Sequence, residues 1–287
     1  MPYLAESLED VLRQMTYASG ETRTFSRFLD KFKILDQIPW TEDILDKAIK
    51  DVSDYVQHNG IDHAWIDFSI NKYMGIGWHK HEAIKFFYER FRAHAPGKIS
   101  LVLALKYEYP QSGQRIYSSL INRDDIKSWL IGIDLVGDEA YFDAKFYGKI
   151  LRDWHDNKKM VRAHVGESQS IINVSDAIRQ LNVTNIAHGI KIVGDDNAID
   201  MAKDSNVTFD LCISSNYYTG VISDGEEHPI KAMYSHGLPI TLGSDDPIQF
   251  NTTLLSEYEL SHRILGDAKA VDQIKQTAFK SFKRFST

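Results

Sequence analysis

The sequence predicts a parallel α/β architecture, a TIM-type (β/α)8 barrel whose first strand is missing from the chain, and three observations predict it. Short apolar runs, several rich in Ile and Val, recur along the chain as buried parallel strands do. Amphipathic helical stretches separate them at intervals of about 30 residues, the length of a strand–helix–strand unit. Polar residues gather where the runs end, the edge at which barrels of this type carry their active sites.

The runs are His63–Ser69, Ile99–Leu105, Trp129–Val136, Met160–Val165, Val183–Ala187, Val207–Leu211 and Leu238–Leu242. Between them His81–Ala93 places Ala83, Phe86, Phe87 and Phe91 at helical spacing, and Tyr141–Trp154, Ile171–Gln180 and Ala198–Asp204 follow the same period. Residues 1–60 read as helical throughout. Ser7–Met15 opens with Ser7 and an acid three residues on, a capping-box-like start; Phe25–Leu35 and Thr41–His58 continue in helical period around Pro39-Trp40. The expected organisation is a single domain over residues 1–287, a helical region over 1–60 followed by seven strand–helix units over 61–287. A closed barrel of this kind uses eight strands. No strand-like run precedes His63, so the first strand is expected to be absent from the chain as given.

The 287 residues carry 33 Lys and Arg against 40 Asp and Glu, a formal charge of -7, and this acidic balance argues against a general nucleic-acid or anionic-membrane binder. Hydrophobic residues make up 43%, enough for a sizeable core, yet no apolar run reaches the roughly 18 residues of a spanning helix. The acidic start MPYLAESLED lacks the basic and apolar regions of a signal peptide. One cysteine, Cys212, forms no internal disulfide and fits a reducing compartment, so a cytoplasmic location is expected. The oligomeric state is not readable.

Four runs end in residues with chemistry. The fourth ends in His164-Val165-Gly166-Glu167, the fifth in His188-Gly189, the sixth in Cys212-Ile213-Ser214-Ser215-Asn216 and the seventh in Ser244-Asp245-Asp246-Pro247. Singly, each has a plain structural explanation: a strand-end His bonded to its surroundings, a glycine supplying backbone freedom, an Asp-Asp-Pro turn opening a helix. Together they are the inventory of a hydrolytic metal site, with imidazole and carboxylate ligands and an acid/base for water.

These residues resemble the adenosine deaminase family. His164-Val165-Gly166-Glu167 is similar to its His-Ala-Gly-Glu, His188-Gly189 to its strand-end His-Gly, and Ser244-Asp245-Asp246-Pro247 to its Ser-Asp-Asp-Pro. Asp134-Leu135-Val136-Gly137-Asp138-Glu139 resembles its Asp-Leu-x-Gly-x-Glu, and Cys212 to Asn216 its Cys-Pro-x-Ser-Asn with Ile213 for Pro. His228-Pro229-Ile230 and Glu257-Tyr258-Glu259-Leu260 also stand where the family has them, and the likeness runs in order from about Phe25 to the end.

The resemblance implies a metal-dependent hydrolase with one zinc ion per chain and a small-molecule purine nucleoside as substrate, adenosine or deoxyadenosine. His164 and Asp245 would be metal ligands, and metal-activated hydroxide would attack purine C6 and expel ammonia. Glu167 would carry a proton to ring N1, His188 would orient the hydroxide, Asp246 would bond N7, and Gly137 would bring backbone to N3. The family's first-strand His-x-His has no counterpart here. His79-Lys80-His81 follows the first visible strand and is expected to be a solvated loop and helix start. Two readings follow: a shortened form of a working deaminase, which the retained Glu167, His188, Asp245 and Asp246 favour, or a family member that binds purine without turnover. Adenine, AMP or a modified purine are alternative substrates, although no Arg or Lys cluster lies near the motifs to meet a phosphate. The aromatic stretches Tyr73–Trp78 and Tyr217-Tyr218 carry no assigned role, and Cys212 is expected to be a small buried residue rather than a nucleophile.

Overall fold

The computed structural model describes residues 8–18, 20–70, 77–152, 154 and 158–285. The aromatic stretch at 73–76 lies outside them. Among the described residues seven strands are present: β1 (Ala64–Phe68), β2 (Ile99–Lys106), β3 (Leu130–Val136), β4 (Met160–Val165), β5 (Asn185–His188), β6 (Thr208–Leu211) and β7 (Ile240–Leu242). Each falls on a predicted run, and among the described residues no strand precedes Ala64. The chain forms two compact units. The first comprises Trp40–His164, Asp176–Asn185 and Phe282–Thr287; the second comprises Met1–Pro39, Val165–Ser175 and Ile186–Ser281.

In the first unit β1 to β4 neighbour one another in chain order with parallel registers, from Ala64 opposite Ile99 to Leu135 opposite Ala163. Strand β2 is buried from Leu101 to Leu105, as its unbroken apolar run requires. Helix Glu42–His58 starts where Thr41 Oγ1 accepts the Ile44 N–H at 3.3 Å, and it buries Leu45, Ile49, Ser53 and Val56 along one stripe. Helix Lys80–His94 buries Ala83, Ile84, Phe87 and Phe91. Phe86 is only half-buried, because its ring turns to Trp78, with centroids 4.9 Å apart.

In the second unit β5, β6 and β7 follow chain order, and β6 pairs with β7 in parallel from Phe209 opposite Ile240 to Leu211 opposite Leu242. The N-terminal segment packs here through rings: Phe28 stacks on Phe250 at 5.1 Å, Tyr17 meets Tyr218 at 5.7 Å, and the Arg23 guanidinium lies 4.4 Å from the Tyr218 ring centre. Tyr217 and Tyr218, unassigned from sequence, are thus split: Tyr218 packs on this segment, while the Tyr217 hydroxyl donates to Glu226 O at 3.1 Å.

Two of the expected helices change type along their length, and the one expected from Tyr141 begins only at Ala144. The stretch from Phe25 is α-helical to Lys31 and then tightens into a 3-10 turn over Phe32–Gln37, since Pro39 holds Ile38 in an extended conformation. Ile171–Asp176 widens into a π turn over Ala177–Leu181, ended by Asn182 in the left-handed region. No described helix is long and apolar enough to cross a membrane.

Two glycines shape the strand ends of the second unit. A Cβ on Gly166, whose φ is +70°, would stand 2.3 Å from Val174 Cγ2 and 3.2 Å from Gly189 Cα. Gly166→Ala is therefore expected to lower stability by about 2 kcal/mol or more, through left-handed strain and overpacking together. Urea titration checks this, and a loss below about 0.5 kcal/mol would contradict the packing described.

Candidate active site

In the second unit the ends of β5, β6 and β7 and the loop after β4 bring Glu167, His188, Asn216 and Asp245 together. Glu167 and His188 are buried. The Asn216 amide is the centre of the group: Nδ2 donates to Glu167 Oε1 at 3.1 Å and to His188 Nδ1 at 3.2 Å, while Oδ1 accepts from His228 Nε2 at 3.1 Å. Thr219 Oγ1 adds a longer bond to Glu167 Oε1 at 3.5 Å. His188 Nδ1 thus acts as an acceptor, and Nε2, the other ring nitrogen, lies 3.8 Å from Asp245 Oδ2. The ring is 3.7 Å from Glu167 Oε1, so acid and imidazole stand side by side.

Two of these residues are held in unusual backbone. His188 has φ of +61° and Asp245 +54°, left-handed conformations that cost non-glycine residues on the order of 1 kcal/mol. Such strain at two strand ends is typical of sites whose side chains are aimed rather than merely packed. Asp245 is open to solvent along its backbone, yet its carboxylate retains only 19% exposure. Asp246 opens the short helix Pro247–Phe250, its carbonyl accepting the Phe250 N–H at 3.1 Å.

The supporting residues are buried and bonded. His228 Nδ1 accepts the Ile230 N–H at 3.0 Å while Nε2 donates to Asn216, so the ring is neutral with its proton on Nε2. Burial pushes its pKa down to about 3. Glu257 accepts from Ser214 N at 3.2 Å and Thr252 Oγ1 at 2.8 Å, which anchors the start of helix Ile213–Tyr218 that carries Asn216. Cys212 is buried, as expected of a packing residue. Replacing Asn216 by Ala should cost about 2 kcal/mol, because three polar side chains lose a shared partner in a buried place. A urea midpoint indistinguishable from that of the parent would refute this role.

In the first unit His164 and Gly137 stand at the ends of β4 and β3. His164 Nδ1 bonds Asp134 Oδ1 at 3.2 Å, and Tyr107 Oη donates to the His164 carbonyl at 3.0 Å. Asp134 is fully buried and also accepts from Arg162 Nε at 2.7 Å; Arg162 in turn pairs with Asp67. Burial alone would raise the Asp134 carboxyl, but the Arg162 and His164 charges outweigh it and hold it below its ordinary value. Gly137 has φ of +104°, and the place a Cβ would take is filled by the Glu108 carboxylate. His79-Lys80-His81 opens a helix, as expected, with His79 capping Lys80–His94, but His81 is half-buried rather than solvated, its Nε2 engaged by Asp125 at 2.8 Å.

The donor set fits a divalent metal by its chemistry. His188 Nε2 and Asp245 Oδ2 are close enough to serve one small cation, and imidazole with carboxylate suits zinc. His164 has the carboxylate-backed Nδ1 seen in metal-binding histidines, and Nε2 is the atom it could offer a metal.

Sequence reasoning missed Asn216, His228, Asp134, Arg162, Asp67 and Glu108 as parts of this chemistry. Asn216, His228 and Asp134 lay inside recognised motifs, so their signal was present. Nothing in the sequence singles out Asp67, Glu108 or Arg162, whose partners lie on other strands.

Strand order and registers define a parallel α/β fold, with seven strands among the described residues. The chain belongs to the adenosine deaminase family, whose family model, described as "Adenosine deaminase", matches residues 3–284. Its members are hydrolases acting on C–N bonds. Among curated relatives, an adenine deaminase of Rhizobium meliloti (strain 1021) is 28% identical over 52% of this chain and 47% of its own length. An adenosine deaminase of Pseudoalteromonas translucida (strain TAC 125) is 26% identical over 74% of this chain and 64% of its own. The chain thus spans about half to two thirds of the length of these relatives. Among solved structures, an adenine deaminase from Arthrobacter aurescens matches with TM-score 0.84 at 18% identity, over 98% of this chain and 84% of that one. A zinc-bound amidohydrolase from Burkhoderia ambifaria matches with TM-score 0.82 at 19% identity, over 96% and 78%. Arabidopsis ADAL complexed with IMP matches with TM-score 0.78 at 18% identity, over 95% and 82%. These likenesses show the fold.

Proposed function

We propose that this chain catalyses hydrolytic deamination of a purine, with adenosine or deoxyadenosine as substrate and the corresponding inosine and ammonia as products. The observation that carries the reading is the Glu167–Asn216–His188 group beside Asp245, assembled from the strand-end motifs of a deaminase family. A zinc ion, with His164 and Asp245 as ligand residues, would supply a water acidified enough to ionise near neutral pH. Glu167 would move a proton from the attacking water to ring N1, a task for a buried carboxyl beside an imidazole. His188, accepting from Asn216 through Nδ1, would keep Nε2 turned toward the attacking oxygen. Asp246 would donate to N7, which in a purine nucleoside only accepts, and Gly137 would offer backbone to N3. The reading treats residues 1–287 as one functional domain.

Adenine is the second reading for the substrate, favoured by the adenine deaminases among both the sequence relatives and the structural neighbours. The test is metal content by elemental mass spectrometry on the purified chain, followed by release of ammonia from adenosine, deoxyadenosine and adenine. Stoichiometric zinc with turnover of one of them is the expected result. A folded chain that takes up no zinc and releases no ammonia would overturn it, and purine binding without turnover would identify a binding protein instead.

A further inference from the structure

We propose that Glu108 is a specificity-determining residue of the purine site: its carboxylate takes a hydrogen bond from an uncharged N–H or O–H donor of the substrate and disfavours substrates that carry phosphate. The proposal rests on the deaminase reading above and names the substrate class of that site.

Glu108 lies just beyond β2 and Gly137 just beyond β3. These strands are parallel neighbours, paired at their last residues, Lys106 with Val136, and Tyr107 N donates to Val136 O at 2.8 Å. Both residues therefore stand at the C-terminal edge, where this class of fold does its chemistry. The carboxylate is fixed at one end only. Oε1 accepts the Asp138 N–H at 3.0 Å, whereas Oε2 is buried and has no hydrogen-bond partner among the described residues. The fit to glycine is close, since a Cβ at Gly137 would come within 2.2 Å of Oε2. Any side chain at 137 would push the carboxylate out of place, so the glycine both turns the loop and makes room for Glu108.

A buried carboxylate oxygen without a donor is unfavourable, because it has lost water and gained nothing in exchange. A substrate that brings a donor to it recovers this, and one that does not leaves it unpaired, which is how sites built around a hydrogen bond reach strong discrimination. Two sources of that donor exist among candidate purines, a ring N–H of the free base or a sugar hydroxyl of the nucleoside. A phosphate ester offers acceptor oxygens and a second negative charge, and both are unfavourable against a carboxylate.

The experiment compares kcat/KM for adenine, adenosine and AMP in the zinc-loaded full chain and in its Glu108→Gln and Glu108→Ser variants, with equilibrium binding of the same three compounds. For the preferred base or nucleoside, both variants should lose roughly tenfold or more, and the AMP-to-preferred ratio should rise by at least about tenfold. Loss confined to adenine assigns the donor to a ring N–H, and loss confined to adenosine assigns it to a sugar hydroxyl. Ratios within about twofold of the parent in both folded variants would overturn the role of Glu108. Should the parent turn over none of the three, the deaminase reading fails first, and the binding arm still decides Glu108: an unchanged AMP-to-adenosine binding preference, or no binding, overturns it.

Discussion

Glu167→Gln is expected to lower purine turnover by about a thousandfold while leaving binding of a purine nucleoside close to that of the parent chain. The carboxyl is buried, bonded to the Asn216 amide and flanked by the His188 ring, so its environment suits a group that changes protonation during the reaction. Gln preserves its size and its acceptor oxygen but has no proton to deliver to a ring nitrogen. The neighbours remain filled, and the pocket keeps its shape. Steady-state kinetics beside equilibrium titration with a non-reacting purine nucleoside separate the two effects. Unchanged turnover would remove Glu167 from proton transfer, and loss of binding together with turnover would make it a structural residue.

A second large effect is acid sensitivity centred on His228. Its ordinary pKa of 6.5 falls to about 3 in the folded chain. The physical reason is its confinement: Nε2–H is given to Asn216, Nδ1 receives the Ile230 N–H, and burial leaves no room for a charge. Between these two values the unfolded chain carries a proton that the folded chain refuses, so stability rises with pH across this window. The contribution is complete above the ordinary value and is lost as pH falls toward 3. From pH 7 to pH 5 the loss attributable to this residue is about 2 kcal/mol. Urea titrations of the parent and of a folded His228→Gln variant at both pH values measure it. The variant should show a pH dependence smaller by about that amount, and identical dependences would refute the assignment.

The seven strands were legible because each is a local apolar pattern. Met160–Val165 matches its predicted run residue for residue, and the others shift by a few residues at their ends. Helix interiors followed the same logic, with Leu45, Ile49 and Val56 recurring at a spacing that only a helix turns to one side. Their ends were less legible. The 3-10 turn after Lys31 depends on a proline eight residues later, and the π turn after Asp176 on how the following residues are received by their surroundings.

The site divides along the same line. Glu167, His188 and Asp245 were identifiable because short motifs place chemical side chains directly at strand ends. By itself the sequence determined the strand–helix alternation, the family and which polar residues stand at the strand ends. Tertiary structure alone decided what each of them touches: Asn216 between Glu167 and His188, Asp134 behind His164, and the Glu108 carboxylate against Gly137. The reason is the range of the interactions. Strand and helix patterns arise between residues a few positions apart, where backbone geometry makes them neighbours in any fold. The Asn216 and Glu108 contacts join residues tens of positions apart, and their hydrogen bonds exist only once the strands are paired.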